Sequence, residues 1–292
     1  MRPLAGGFSG ETFLAESAGE RTVVRIYGQR GSTRGPAAVE VDAALLRLVR
    51  GLLPVPEVLE VRRPDPAAGT PALLVTSFLP GERLDLLLPR LDEGARRTVA
   101  ARLGTVLGRL AQMPVLRPGF FVDGDLRVEP MAGGDLVEFV RGHRASTALA
   151  TWDQAAYDGL LAVADRAQAL LDRIDRATVV HSDFNPKNLL VHPDTLEVTG
   201  VLDWEFAHAG LPVTDLGNLL RFERDAAFVQ EVVDTFRVEV PDAGADVLDL
   251  ARAADLYALV DLAGRRGSHE VADRAHDLLH AIARSGDLHA WG

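Results

Sequence analysis

Apolar and polar residues alternate through "ETFLAES" (11–17) and "TVVRIYG" (22–28), with β-branched residues on both sides of the turn "AGER", a pattern that predicts a strand hairpin. The Gly-rich bend "AGGFSG" precedes it. From 35 to 53, "GPAAVEVDAALLRLVRGLL" carries apolar positions at helical spacing, with Gly35 and Pro36 placed to open a helix and Pro54 to end it. "PEVLEVRR" and "PALLVTSFLPG" return to strand character around the turn-rich "PDPAAGT". Beyond Gly81 the pattern becomes helical, over residues 92–113, 152–174 and most of 225–290. One short β segment interrupts it: "NLLV" and "VTGVLDW" flank the turn "HPDTLE". The expectation is an α+β chain with a small strand-rich part, residues 1–80, and a larger helical part, residues 81–292.

Composition narrows the chemistry. The chain of 292 residues has no cysteine, which excludes disulfides, thiolate nucleophiles and Cys-based zinc or iron–sulfur sites. A reducing cytoplasm is the expected compartment. No apolar run approaches the length of a membrane span, and "MRPLAGGFSG" lacks a secretory hydrophobic region. A formal charge of −11 opposes attraction to nucleic acid and to anionic membranes, and suits a cationic ligand. Nothing in the composition indicates an oligomeric state.

The polar loop "HSDFNPKN", residues 181–188, followed by "LDWE", carries the candidate chemistry. Asp183 and Asn188 lie five apart, and Asp203 ends the next strand-like run, so two carboxylates and an amide oxygen can converge. Such a hard oxygen set suits Mg²⁺, which completes its shell with water and phosphate oxygens. Phosphoryl transfer also needs a carboxylate to take the proton of the attacking hydroxyl and donors over the phosphates. Asp183 and the glycines of "GGFSGE" can fill those roles. The histidines near the loop, His181, His192 and His208, lack zinc-ligand spacing, and neither a Walker-type loop nor a GxGxxG is present.

The order of Gly-rich loop, basic strand residue, helix Glu, "HSDFNPKNLLV" and "GVLDWEFAHAGLPVTDLGN" resembles the aminoglycoside phosphotransferase and choline kinase branch of the protein-kinase-like fold, from about residue 5 to 220. The resemblance implies a two-lobed fold, ATP or GTP, Mg²⁺ and a small hydroxyl-bearing acceptor. Residue by residue, it implies Asp183 as the catalytic base and Asn188 and Asp203 as metal ligands. His181 would begin the catalytic loop and Asp215 brace it. Gly6, Gly7, Ser9 and Gly10 would cover the phosphates, and a base would bond main-chain groups at the hinge Ser77, Phe78 and Leu79. The lysine usual on the third strand is replaced by Arg25, expected to hold phosphate oxygens and the helix residue Glu40. The chain's single lysine, Lys187, lies inside the catalytic loop, where it either assists the γ-phosphate or faces solvent. Ser182 stands where relatives mostly have glycine.

Only eleven residues separate Asp203 from Asp215, too few for a peptide-binding activation segment, so a small acceptor is expected. The acidic balance favours a cationic antibiotic, an aminoglycoside or a tuberactinomycin-type peptide, whose phosphorylation would confer resistance. Its ammonium groups would need carboxylates, for which Glu205, Glu223, Asp255 and Asp261 are the candidates. The alternatives are a kinase of choline, homoserine, a sugar or a macrolide, and, in another class, a nucleotide-binding pseudokinase.

Overall fold

The structure, a computed structural model, describes residues 1–4, 11–28, 35–131 and 134–290. The strands are β1 (Arg2–Pro3), β2 (Glu11–Ser17), β3 (Glu20–Tyr27), β4 (Val58–Arg62), β5 (Ala72–Ser77), β6 (Glu82–Arg83), β7 (Pro114–Val115), β8 (Phe120–Phe121), β9 (Val128–Glu129), β10 (Ala177–Val180), β11 (Leu189–Val191), β12 (Val198–Val201) and β13 (His208–Gly210). The helices are α1 (Ala38–Val49), α2 (Leu84–Leu87), α3 (Glu93–Ala111), α4 (Leu136–Arg144), α5 (Gln154–Leu171), α6 (Thr214–Leu220), α7 (Ala226–Glu239), α8 (Val247–Gly264) and α9 (Glu270–Ser285).

The first five strands form one antiparallel sheet in the order β1-β2-β3-β5-β4. The predicted hairpin is its centre: β2 and β3 pair from Glu11↔Ile26 to Ser17↔Glu20 around Ala18 and Gly19, both at positive φ. The α1 helix buries Val39, Val41, Asp42, Leu45, Leu46 and Val49. It ends at Val49, short of Pro54, where Arg50 turns extended and the Val49 carbonyl accepts the N–H groups of both Leu52 and Leu53.

The rest is mainly helical, and two of the long helices start where a side chain accepts an orphan N–H: Asp92 from Ala95 for α3 and Asp153 from Ala156 for α5. The glycines of α3 let α7 approach; a Cβ on Gly104 would lie 2.6 Å from the Val232 carbonyl oxygen. The expected helical stretch over 225–290 is three helices, broken at Val240–Asp246 and Arg265–His269. Three small sheets complete the described strands, one of them the pair β8-β9. β10 lies between β7 and β13, and β11 between β12 and β6, so that the catalytic loop connects two central strands. Among the described residues no helix is long and apolar enough to cross a membrane.

Candidate active site

The loop from β10 to β11 is anchored by Phe184, which is fully buried, and closed by a 3-10 turn at Pro186–Asn188. Asn185 shapes it twice: its Oδ1 accepts the Lys187 N–H at 3.0 Å, and its Nδ2 donates to Asp183 Oδ1 at 2.8 Å. Asn188 Nδ2 donates to the other carboxylate oxygen, Asp183 Oδ2, at 2.8 Å. Asp183 is thereby fixed in one orientation. Burial raises its pKa above the usual aspartate value, against the two amide hydrogen bonds.

Below the loop, His181 and Asp215 act as its frame. The Asp215 carboxylate accepts the backbone N–H groups of His181 and Ser182, each at 2.8 Å. Burial pushes Asp215 up to about 7, while those two N–H bonds favour its ionised form. The His181 ring donates from Nε2 to the Leu202 carbonyl at 2.8 Å and accepts the Asp183 N–H at Nδ1, 3.2 Å away, which defines one neutral tautomer. Burial lowers its pKa to about 4, so it stays uncharged at neutral pH. Its ring meets the Trp204 ring edge-on at 4.7 Å, and the Trp204 indole N–H donates to the Val201 carbonyl.

Ser182 holds φ +65°, the conformation that a glycine adopts without strain. Ser182→Gly is expected to stabilise the fold by about 0.5–1 kcal/mol, strain relief less the backbone entropy of glycine. A rise of about 1–4 °C in melting temperature would register it, and a fall would contradict the strain.

Asp203, also at positive φ (+64°), turns the chain out of β12 into a short 3-10 turn, Trp204–Phe206. That turn brings Asp203 and Glu205 to one cation, Arg25 of β3: Nη1 lies 2.9 Å from Asp203 Oδ1 and Nη2 2.6 Å from Glu205 Oε2. Burial opposes the Arg25 charge, but Tyr27, Asp203, Asp42 and Glu205 around it outweigh that and raise its pKa. The clasp joins the first sheet to the turn that follows β12.

The expected Arg25–Glu40 pair is not formed. Glu40 binds Arg63, whose Nε donates at 2.6 Å, because the outer face of α1 carries Glu40 away from β3. The buried acid of that helix is Asp42, which accepts the Tyr27 O–H at 2.7 Å and lies on the apolar stripe of Val39, Leu46 and Val49. That periodicity was the available signal for it. Asn185 also went unrecognised, as a polar residue in a polar loop.

The four carboxylates expected to meet an acceptor all have partners within the chain. Glu205 is on Arg25. Glu223 accepts the N–H groups of Arg224 and Asp225 at 2.7 and 2.8 Å, and Arg96 stands nearby. Asp255 is buried, in a two-pronged pair with Arg221 and a bond from Asn218. Asp261 pairs with Arg265 one turn along the exposed face of α8. Lys187 is exposed.

At the hinge, the Ser77 N–H donates to the Glu57 carbonyl and the Phe78 N–H to Arg21, which leaves the Leu79 N–H as the main-chain donor there without an acceptor among the described residues. Gly6, Gly7, Ser9 and Gly10 lie outside the described residues. As for a cation, Asn188 commits its Nδ2 to Asp183, leaving Oδ1, and Asp203 supplies a carboxylate: one amide and one carboxylate oxygen fit a metal that completes its shell with phosphate and water. Among the described residues no group of three His, Asp or Glu could form a cage without such ligands.

Comparison with known proteins agrees with this geometry. A family model for the phosphotransferase enzyme family matches residues 1–256. The chain is similar to the crystal structure of aminoglycoside phosphotransferase APH(4)-Ia, with TM-score 0.68 and 18% identity over 98% of this chain and 93% of that one. It is also similar to the GDP complex of aminoglycoside 2'-phosphotransferase-IIIa, with TM-score 0.69 and 16% identity over 98% and 92%. Among curated proteins it is 27% identical over 215 residues, 72% of this chain, to "Acyl-CoA dehydrogenase family member 10" of Mus musculus. It is 31% identical over 83 residues, 27% of this chain, to "Acyl-CoA dehydrogenase family member 11" of Gallus gallus. The matches cover 19% and 11% of those proteins, so the chain spans a fifth or less of their length.

Proposed function

Because the chain belongs to the phosphotransferase enzyme family and is a phosphotransferase acting on hydroxyl groups, we propose that it moves the γ-phosphoryl group of ATP or GTP to a hydroxyl of a small molecule, with Asp183 as the base. The observation that carries this reading is the Asp183 carboxylate, held by Asn185 and Asn188 at the end of a loop that Asp215 and His181 brace. The acceptor oxygen attacks the γ-phosphorus as its proton passes to Asp183, and the nucleoside diphosphate leaves. Arg25 meets phosphate oxygens and the Leu79 N–H meets the base. Mg²⁺ held by Asn188 and Asp203 would neutralise charge on the phosphates.

For the acceptor, the acidic balance suggests a cationic antibiotic, but the four carboxylates that would receive its ammonium groups are engaged within the fold. A second reading, a hydroxylated acyl compound, is favoured by the 215-residue match to a protein named for acyl-CoA dehydrogenase.

Purified protein with Mg²⁺, ATP or GTP, and a panel of aminoglycosides, tuberactinomycins, macrolides, choline, sugars and hydroxy acids tests the reading through nucleoside diphosphate release and product mass. One acceptor should gain a phosphoryl group. Nucleotide binding with no transfer to any acceptor would instead favour a pseudokinase. The active acceptor should show kcat/KM falling toward acid, because the base must be ionised, with a midpoint above the ordinary aspartate value of 3.8. A profile flat down to that value would remove Asp183 from the role.

A further inference from the structure

Arg25 is gripped from its own strand as well as from the turn after β12. Side chains alternate along a strand, so Arg25 and Tyr27 of β3 stand on one face. The Arg25 guanidinium carbon lies 5.3 Å from the centre of the Tyr27 ring, within reach of the attraction between a cation and an aromatic face. The phenol at the end of that ring donates to Asp42 Oδ2 at 2.7 Å, and Asp42 is buried in α1. One aromatic side chain therefore touches Arg25 with its face and the helix with its hydroxyl.

The helix is a firm anchor. It packs on β4, β5 and the turn Trp204–Phe206, the same turn that carries Glu205 to Arg25. Asp42 lies two residues beyond Glu40, about 200° around the helix axis, which turns Asp42 inward toward Tyr27 while Glu40 meets Arg63. A hydrogen bond from a phenol to a carboxylate is short and strong, and here it fixes a ring that could otherwise turn about its own axis. The ring uses none of the Arg25 N–H groups. Phosphate oxygens must compete with Asp203 and Glu205 for Nη1 and Nη2, whereas the contact with the ring can persist while those groups change partner.

We infer that Tyr27 is a positioning residue for Arg25: its phenol, anchored on Asp42, holds the ring against the guanidinium and so sets the direction in which Arg25 presents its N–H groups to the nucleotide phosphates. The link from α1 to the phosphate-binding cation thus runs through an aromatic ring and a buried aspartate, in place of the Glu40 pair expected from sequence. Its consequence for phosphate binding rests on the kinase reading above. An arginine side chain has many rotamers, and a cation held by both a face contact and edge contacts loses less freedom when phosphate arrives than one held by its edges alone.

The test is the affinity of the full chain for the β,γ-imido analogues of ATP and GTP with Mg²⁺, measured by calorimetry so that no acceptor is needed. Tyr27→Phe keeps the ring and removes the O–H, and should weaken binding by about three- to tenfold. Tyr27→Leu removes both and should weaken it by about tenfold or more. In an Arg25→Ala background neither should weaken it further, a result that a general loss of structure would not give. Glu40→Gln should match the parent. Should Tyr27→Phe not fold, Tyr27→Phe with Asp42→Asn, which leaves no carboxylate facing the missing O–H, takes its place. Parent affinity in Tyr27→Phe, an equal loss with and without Arg25, or a loss in Glu40→Gln as large as in Tyr27→Phe overturns the inference. Should the parent bind neither analogue, the kinase reading fails, and nuclear magnetic resonance of the Arg25 Nε–H decides the positioning alone. That signal, assigned by its loss in Arg25→Ala, should lose its ring-current shift in Tyr27→Leu and broaden in Tyr27→Phe, and a signal unmoved by either rejects the inference.

Discussion

Asp183→Asn is expected to lower kcat by about 10²–10⁴-fold, the usual contribution of a positioned base. Nucleotide affinity should change little, because the residue meets the acceptor and not the phosphates in the proposed arrangement. The replacement is nearly isosteric, yet it is not silent within the loop. Asp183 accepts from two amide groups, Asn185 Nδ2 on one oxygen and Asn188 Nδ2 on the other. An asparagine offers one oxygen and one NH₂, so one of the two donors must face another donor, at a cost of about 1–3 kcal/mol. Single-turnover transfer and calorimetric nucleotide titration separate the two effects. Turnover within tenfold of the parent would mean that Asp183 is not the base.

Arg25→Ala is expected to lower kcat/KM by about 10²–10³-fold, the loss seen when one preorganised donor to a developing charge is removed. Arg25→Lys should recover part of this, since an ammonium can reach the phosphates but cannot span Asp203 and Glu205 in one plane. Glu205→Gln separates positioning from charge: it removes the Glu205 carboxylate from Arg25, keeps Asp203 and should cost about tenfold. Glu40→Gln serves as the comparison and should leave kcat/KM unchanged, because Glu40 is bound to Arg63. A larger loss for Glu40→Gln than for Glu205→Gln would return the helix glutamate to the role expected of it from sequence.

That contrast shows where sequence reading works and where it stops. The meeting of Asp183 and Asn188 was legible because the residue types of 181–188 are rare in combination and lie within one short string, so spacing alone brings the two together. The central hairpin was legible because alternation and turn residues agree over β2 and β3. Short strands such as β10 and β7 are too brief to show a period, and the four-residue run "ATVV" reads as buried without saying against what. Partner choice among charges was the least visible. Glu205 reaches Arg25 only because Asp203 takes a left-handed conformation that redirects the chain, and Asp255 is drawn inward by Arg221 from another helix. Neither depends on local pattern.

The Arg25 clasp also sets an order of events during synthesis. Its partners are 178 and 180 residues further along the chain, and the Val201 N–H that bonds the Pro54 carbonyl is similarly distant. The sheet of β1 to β5 is complete by Ser77 and can form once that residue leaves the ribosome, whereas contacts more remote in sequence must wait. Until residue 203 has emerged, Arg25 has neither of these partners. The Arg25 clasp is therefore completed late in translation, and a ribosome that stalls before "DWE" releases a sheet without that contact.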